Sequence, residues 1–428
     1  MTLSRYTTIS VFACALALTA CDNEEGFTGG GDGGGVGGGV GGGPGVTFEP
    51  LMQYGPGQTP GFGAIKISGD AGEIVFIDDA DPLGTNPNGE WQLFSFDIGT
   101  KIVTQITDGS ATAVPSLEDF DLTDNGDSVV WVSSDDFVGS NPNNQFNVFM
   151  ASTSGAGISQ VTAIDDGLAY DPQVSGNGVV VFLSDADLTG DNPARDTHVF
   201  SIDINGTNLT QVTNLPLNPE NLALADDGTK VAFQGLGDPF GSNADNSREI
   251  FVVDIDGANL TQVSASDGDS LHPKLSDNGS LVAFTSAAAI FAGGNADGNY
   301  EMYVGQTDGS TITQITDDVE NSGTYSNGTP GGFDISGNGG YVVFGARGNL
   351  TGENFFSHTI FWAATDGSII QQFLRQGTIS NSAYANENYD AENPTIINDG
   401  EGIAFESTVN FTSGSVPTYV KIYTTARF

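Results

Sequence analysis

Positive charge is nearly missing from this chain. Eleven Lys and Arg stand against 54 Asp and Glu in 428 residues, for a formal charge of −43 at pH 7. Binding to phosphate needs clustered Lys and Arg, so nucleic acids and anionic bilayer surfaces are excluded as partners. Charged residues of both signs make up 15% of the chain, below the roughly 25% usual for soluble domains. Cysteine is also scarce. Cys14 lies inside an N-terminal apolar run and Cys21 follows it, so removal of that run would leave no pair for a disulfide. The three histidines (His198, His272 and His358) fall far apart, and with no cysteine cluster beside them they form no zinc pattern. Catalytic signatures are missing too: no Gly-x-Ser-x-Gly elbow on an α/β pattern, no P-loop and no dinucleotide fingerprint.

The first residues, MTLSRYTTISVFACALALTA, carry one Arg, an apolar run and small residues before Cys21. This reads as a secretory signal, too short for a spanning helix. Leu18-Thr19-Ala20-Cys21 resembles the lipobox of bacterial lipoproteins, which implies cleavage before Cys21 and a lipid on its thiol. Loss of residues 1–20, with one Arg and no acid, takes the charge to −44. Residues 21–46 then form a glycine-rich linker, a flexible coil whose glycine-rich part spans on the order of 25 Å. The run Asp22-Asn23-Glu24-Glu25 resembles surface-export signals of some bacteria, although Asp22-Asn23 alone resembles an inner-membrane retention signal. An outer-membrane or surface address is expected over the inner membrane.

From residue 62 one pattern recurs: an Asp-, Asn- and Gly-rich turn, then a β-run ending on an aromatic. The aromatics are Phe76, Trp131, Phe182, Phe233, Phe284, Phe344 and Phe405, at spacings of 55, 51, 51, 51, 60 and 61. Asn-Gly and Asp-Gly between β-branched runs are the strongest short hairpin signal, because type I′ turns need positive φ. A second hairpin follows in each unit, as in IFVVDIDGANLTQVS, with the alternation of half-buried strands. Gln105, Gln160, Gln211, Gln262, Gln314 and Gln372 recur at one position and read as a structural hydrogen bond within each unit. Four antiparallel strands per unit cannot bury both faces alone, but a ring of them can. Residues 47–428 are therefore expected to form one all-β propeller. Seven blades fit the count, with six or eight still open, and VTFEPLM (47–53) is a candidate outer strand for the last, three-stranded unit.

Units such as IFVVDIDGANLTQVS…HPKLSDNGSLVAF resemble the WD-like propeller repeats of TolB-type periplasmic proteins, over about residues 62–428. The resemblance implies an envelope propeller, most often a binding platform. It departs where TolB carries an α/β domain before its propeller, since here a glycine tether stands instead.

Gly268-Asp269-Ser270-Leu271 matches the nucleophile motif of a serine esterase family. Those enzymes place it after the first strand of an α/β domain, with an Asp-x-x-His late in the chain. Neither context exists here, so Ser270 is expected to be a loop residue between blades.

Two further sets of residues remain as candidates. At the start of each inner strand stand Asp119, Asp171, Asn221, His272 and Asn393, positioned to ring a channel mouth for a cation or polar ligand; the plainer alternative is a solvated mouth. In the loop GGNADGN, Asn295, Asp297, Asn299 and Glu301 alternate like the first half of an EF-hand loop, consistent with weak calcium binding at about 10⁻⁴–10⁻³ M. Asn and Asp there also serve as ordinary turn caps. No cofactor is required and nothing calls for an oligomer. The leading expectation is a non-enzymatic platform for an envelope protein or glycan. The alternative is a polysaccharide lyase or glycosidase with its acids at the channel mouth.

Overall fold

The computed structural model describes residues 10–13, 62–79, 82–109, 119–290, 294–295, 298–317, 332–346, 350, 359–372, 391–400, 402–407 and 419–426. They form seven four-stranded sheets, and six are simple meanders in which each strand pairs with the next in sequence. Blade 1 shows the plan: Phe62–Ile67, Glu73–Asp78, Gln92–Asp97 and Ile102–Gln105 run from inside to outside. The protein is an all-β propeller, as the repeat predicts.

The second and third strands differ from the sequence expectation. Val179–Ser184 and His198–Asp203, like their counterparts, are buried along nearly their whole length on both faces. Each blade is covered by a neighbour on either side, so even Ser201 faces protein. The landmark aromatic of strand two stacks on an aromatic directly opposite in strand three. Phe76–Phe94, Trp131–Phe149, Phe182–Phe200, Phe233–Phe251, Phe284–Tyr303 and Phe344–Phe361 all lie at 5.6–6.0 Å between centroids. One aromatic pair thus anchors each of six blades, a geometry worth more than its buried area alone.

Blade 7 consists of Ala391–Ile396, Gly402–Ser407 and Tyr419–Ala426, with Ser10–Ala13 added to the last of these. That fourth strand pairs in parallel, Ser10 opposite Tyr419, whereas every other pairing is antiparallel. In the unprocessed chain this edge carries Ser10–Ala13, within the segment that the expected cleavage before Cys21 removes, and residues 47–53 lie outside the described residues. No helix among the described residues is long and apolar enough to cross a membrane.

The recurring glutamines do what their spacing suggests. Gln105, Gln211 and Gln314 donate from Nε2 to the carbonyls of Thr107, Thr213 and Thr316. The Oε1 atoms of Gln105, Gln160, Gln211 and Gln262 also reach across the blade, accepting from Thr85, Ser140, Thr189 and Ser242. This pins the long loop between strands two and three to the outer strand.

Candidate functional site

The inner strands surround a central cavity of ≈ 350 Å³ lined by residues of all seven blades. Because strands alternate direction, inner strands begin at one mouth and their hairpin turns close at the other. The two mouths differ in chemistry.

At the first mouth the structure brings together four of the five predicted ring residues. The inner strands of blades 3, 4 and 5 slip register between Tyr170 and Gln173, Glu220 and Ala223, and Leu271 and Lys274. These are β-bulges, and Asp171, Asn221 and His272 sit in them at φ of 51°, 53° and 56°. Asp, Asn and His are the non-glycine residues most tolerant of this left-handed backbone. The pattern read from the sequence as a polar ring is thus first a backbone requirement. Their side chains then link blade to blade. Asp119 Oδ2 accepts from the Asp171 amide (3.4 Å), and Asp171 Oδ2 accepts from the Leu222 amide (2.6 Å). Asn221 Nδ2 meets His272 Nδ1 at 3.3 Å, while the His272 amide donates to Gln234 Oε1. Asn393 belongs to Ala391–Ile396, but its side chain lies outside the described residues.

Burial and then the charge of Asp119 push the Asp171 carboxyl up to about 6, against the Leu222 hydrogen bond and the pull of Lys66 and Lys274. Burial likewise raises Asp119. His272 is held low by burial and by Lys274. Deeper in the cavity Lys66 pairs with Asp121 at 2.9 Å, and Asp121 also accepts from the Val174 amide.

The second mouth was not foreseen. Seven residues before each landmark aromatic (six in blade 3) stand Gly69, Asp124, Gly176, Asp226, Asp277, Gly337 and Asn398. Their turns join through backbone hydrogen bonds: Asp70 to Asp124, Gly176 to Asp226, Asp227 to Asp277, Asp277 to Gly337, Asn338 to Asn398 and Asn398 to Gly69. The last closes the ring between blades 7 and 1. A Cβ at Gly69 would collide with Asp124 and Asn398, one at Gly176 with Asp226, and one at Gly337 with Asp277. The glycines make room for neighbouring acids. Burial, then the charges of Asp124 and Asp226, raise Asp277 to about 7. Asp124 and Asp226 are also raised, first by burial. In the sequence these aspartates read as turn residues, and only the regular offset from the aromatic marks them.

Ser270 is fully buried as the first residue of the strand Ser270–Leu275, not in a loop. Its hydroxyl has no hydrogen-bond partner, so no base activates it and no substrate reaches it. The loops between strands two and three carry one recurrent clamp. Asn86, Asn141, Asn192, Asn243 and Asn295 are buried, and each donates from Nδ2 to a carbonyl four residues on at 2.7–2.8 Å. Within the predicted calcium set, Asn295 is therefore a loop brace. Glu301 is fully buried and accepts from Thr316 Oγ1. This matches Glu249 with Ser264 and Asn147 with Thr162 in earlier blades. Asn299 is buried and Asp297 lies outside the described residues.

No family model matches the sequence, and no curated protein is similar enough in sequence to match. Among solved structures, an oligogalacturonate lyase from Vibrio parahaemolyticus is similar at TM-score 0.54 and 13% identity, over 84% of this chain and 88% of that one. An oligogalacturonate lyase in complex with manganese is similar at TM-score 0.53 and 13% identity, over 84% and 87%. TolB from Acinetobacter baumannii aligns at TM-score 0.40 and 14% identity, over 65% and 58%, too low to add weight. At these identities the likeness establishes the propeller fold alone. No three His, Cys, Asp or Glu side chains among the described residues are placed to hold a metal ion, so the manganese of that neighbour finds no donor set among them.

Proposed function

We propose that this chain is a lipid-anchored propeller of the bacterial envelope and serves as a non-enzymatic binding platform. One observation carries the reading: the polar residues of the first mouth are engaged in holding blades together. Asp171 caps the Leu222 amide, Asp119 the Asp171 amide, and His272 bonds Asn221. A catalytic group needs its reactive atoms directed at a substrate. The net charge of −43 further disfavours a polyanionic chain in the channel.

The second reading, a carbohydrate-active enzyme, rests on Asp171. Its carboxyl near 6 beside Asp119 is the kind of pair that shuttles protons at neutral pH. The two are separated by incubating the protein with oligogalacturonate and with neutral glucans. The platform reading expects no shortening of either chain, with the wild type matching Asp171→Asn. Depolymerisation by the wild type that Asp171→Asn abolishes would establish the enzyme instead.

The anchor is tested independently. Cys21→Ser is expected to move the protein from the membrane to the soluble fraction, as loss of the acylated thiol removes the only lipid the sequence provides. A variant that still floats with membranes is held by something else.

A further inference from the structure

Of the eight large apolar side chains exposed among the described residues, Ile102, Leu209 and Ile369 stand at the start of outer strands, and the other five gather at one end of the blades. The connections between strands two and three, and those leading from one blade to the next, emerge at the same end of every blade. There Leu83, Val138, Phe240, Leu168 and Leu215, from blades 1 to 4, are between 39% and 55% exposed. Leu83, Val138 and Phe240 occupy one equivalent position, three residues before the clamp asparagines Asn86, Asn141 and Asn243. Water-exposed apolar side chains at a repeated position are displayed by the fold, since nothing in a turn requires them.

These tips are held firmly. In blade 4 Asn243 Nδ2 donates to the Ser247 carbonyl at 2.8 Å, Ser242 Oγ to Gln262 Oε1 at 2.8 Å, and the Ser242 amide to Asp238. Leu168 is fixed through its amide on Asp185 Oδ1 at 2.8 Å. A surface that is already ordered loses little entropy on binding.

Charge decides what the surface accepts. The described parts of these connections in blades 1 to 4 carry many aspartates, among them Asp108, Asp136, Asp165, Asp187 and Asp245, and two cations, Arg195 and Arg248. Both cations are neutralised in place, Arg195 by Asp166 and Arg248 by Glu220 at 2.9 Å. What remains is a set of rigid apolar tips in a negative field. An anionic lipid surface would be repelled by that field, whereas lysines and arginines would be drawn to it.

We infer that this end of blades 1 to 4 is a docking surface for a cationic amphipathic segment of a partner protein. Its apolar side chains meet Leu83, Val138 and Phe240, and its basic side chains meet the surrounding aspartates. The inference rests on the platform reading and names the chemistry of the partner.

The test uses the full chain carrying Cys21→Ser and a synthetic Leu/Lys amphipathic peptide, with binding followed by fluorescence anisotropy. A second peptide keeps every lysine but replaces leucine by glutamine, and vesicles rich in phosphatidylglycerol form a third arm. The amphipathic peptide is expected to bind, and binding should weaken as salt rises. Phe240→Ala should weaken it about tenfold, as the loss of an aromatic anchor does, and Leu83→Ala less. Both sites are exposed, so the variants should keep the wild-type melting curve, which is measured alongside. Equal binding of the glutamine peptide, unchanged affinity in Phe240→Ala, or binding to vesicles in preference to peptide would each overturn the surface. Depolymerisation of a glycan by the wild type would overturn the platform itself, whatever the peptides do.

Discussion

Truncating Phe251 to alanine is expected to cost about 4 kcal/mol of unfolding free energy, the range for removing a large buried aromatic. Phe251 is fully buried, stacks on Phe233 at 5.6 Å and packs among Val199, Val212 and Val253. Its loss leaves a cavity enclosed between blades 3 and 4, so collapse around it is limited. Urea denaturation with a parallel Ile102→Ala control makes the comparison, since Ile102 is 59% exposed and its truncation should stay within about 0.5 kcal/mol. A cost for Phe251→Ala below about 1 kcal/mol would mean that the stacked pairs do not anchor the blades.

The second large effect is an inverted response to pH. Asp171 near 6, Asp277 near 7 and Glu73 near 7 all titrate above their ordinary values, chiefly through burial. A carboxyl whose pKa is higher folded than unfolded binds its proton more tightly in the native state. Its stabilising contribution is complete below the unfolded value near 4 and is lost as pH rises through the folded value. The melting temperature is therefore expected to fall as pH rises from about 5 to 8. Below about 4 the trend should turn over, because Glu220 and Asp254 are held low by Arg248 and Lys230, and protonating them breaks those pairs. Asp277→Asn is expected to raise the melting temperature at pH 8 by a few degrees and to leave it unchanged near pH 4.5. A profile that is flat from 5 to 8, or an Asp277→Asn variant less stable at pH 8, would contradict this account.

The blades were legible because each is a local object. A turn needing positive φ and a stacked aromatic recur about every 51 residues in the regular units, and the recurrent glutamine meets loop and strand of its own blade. The residues of the first mouth were legible by position but not by role. Asp171, Asn221 and His272 stand where they do because a bulge requires left-handed backbone, and sequence shows the residue type without the bulge. The loop asparagines were ambiguous for a related reason, since a calcium ligand and a carbonyl clamp use the same amide. The second mouth was invisible. Asp226 and Asp277 lie one repeat apart in sequence, and only the packing of blade on blade sets them side by side. The pairing of Ser10–Ala13 with Tyr419–Ala426 was not expected, because the sequence reads residues 1–20 as a signal that is removed.

The turn ring of the second mouth has an arithmetic of its own. Going round from blade 1 its members are Gly69, Asp124, Gly176, Asp226, Asp277, Gly337 and Asn398, a small residue beside each larger one. Two states can alternate without fault only around an even number of places. Seven places force at least one mismatch, and here two larger residues, Asp226 and Asp277, become neighbours. An even-bladed relative could alternate glycine and aspartate all the way round and give every carboxylate a vacant neighbour. In a seven-bladed ring at least one junction must pair like with like. The crowding at that junction adds to burial in holding a proton on Asp277 near neutrality. Exchanging the residues at 277 and 337 between aspartate and glycine would not remove the defect; it would only carry it to the seam between 337 and Asn398.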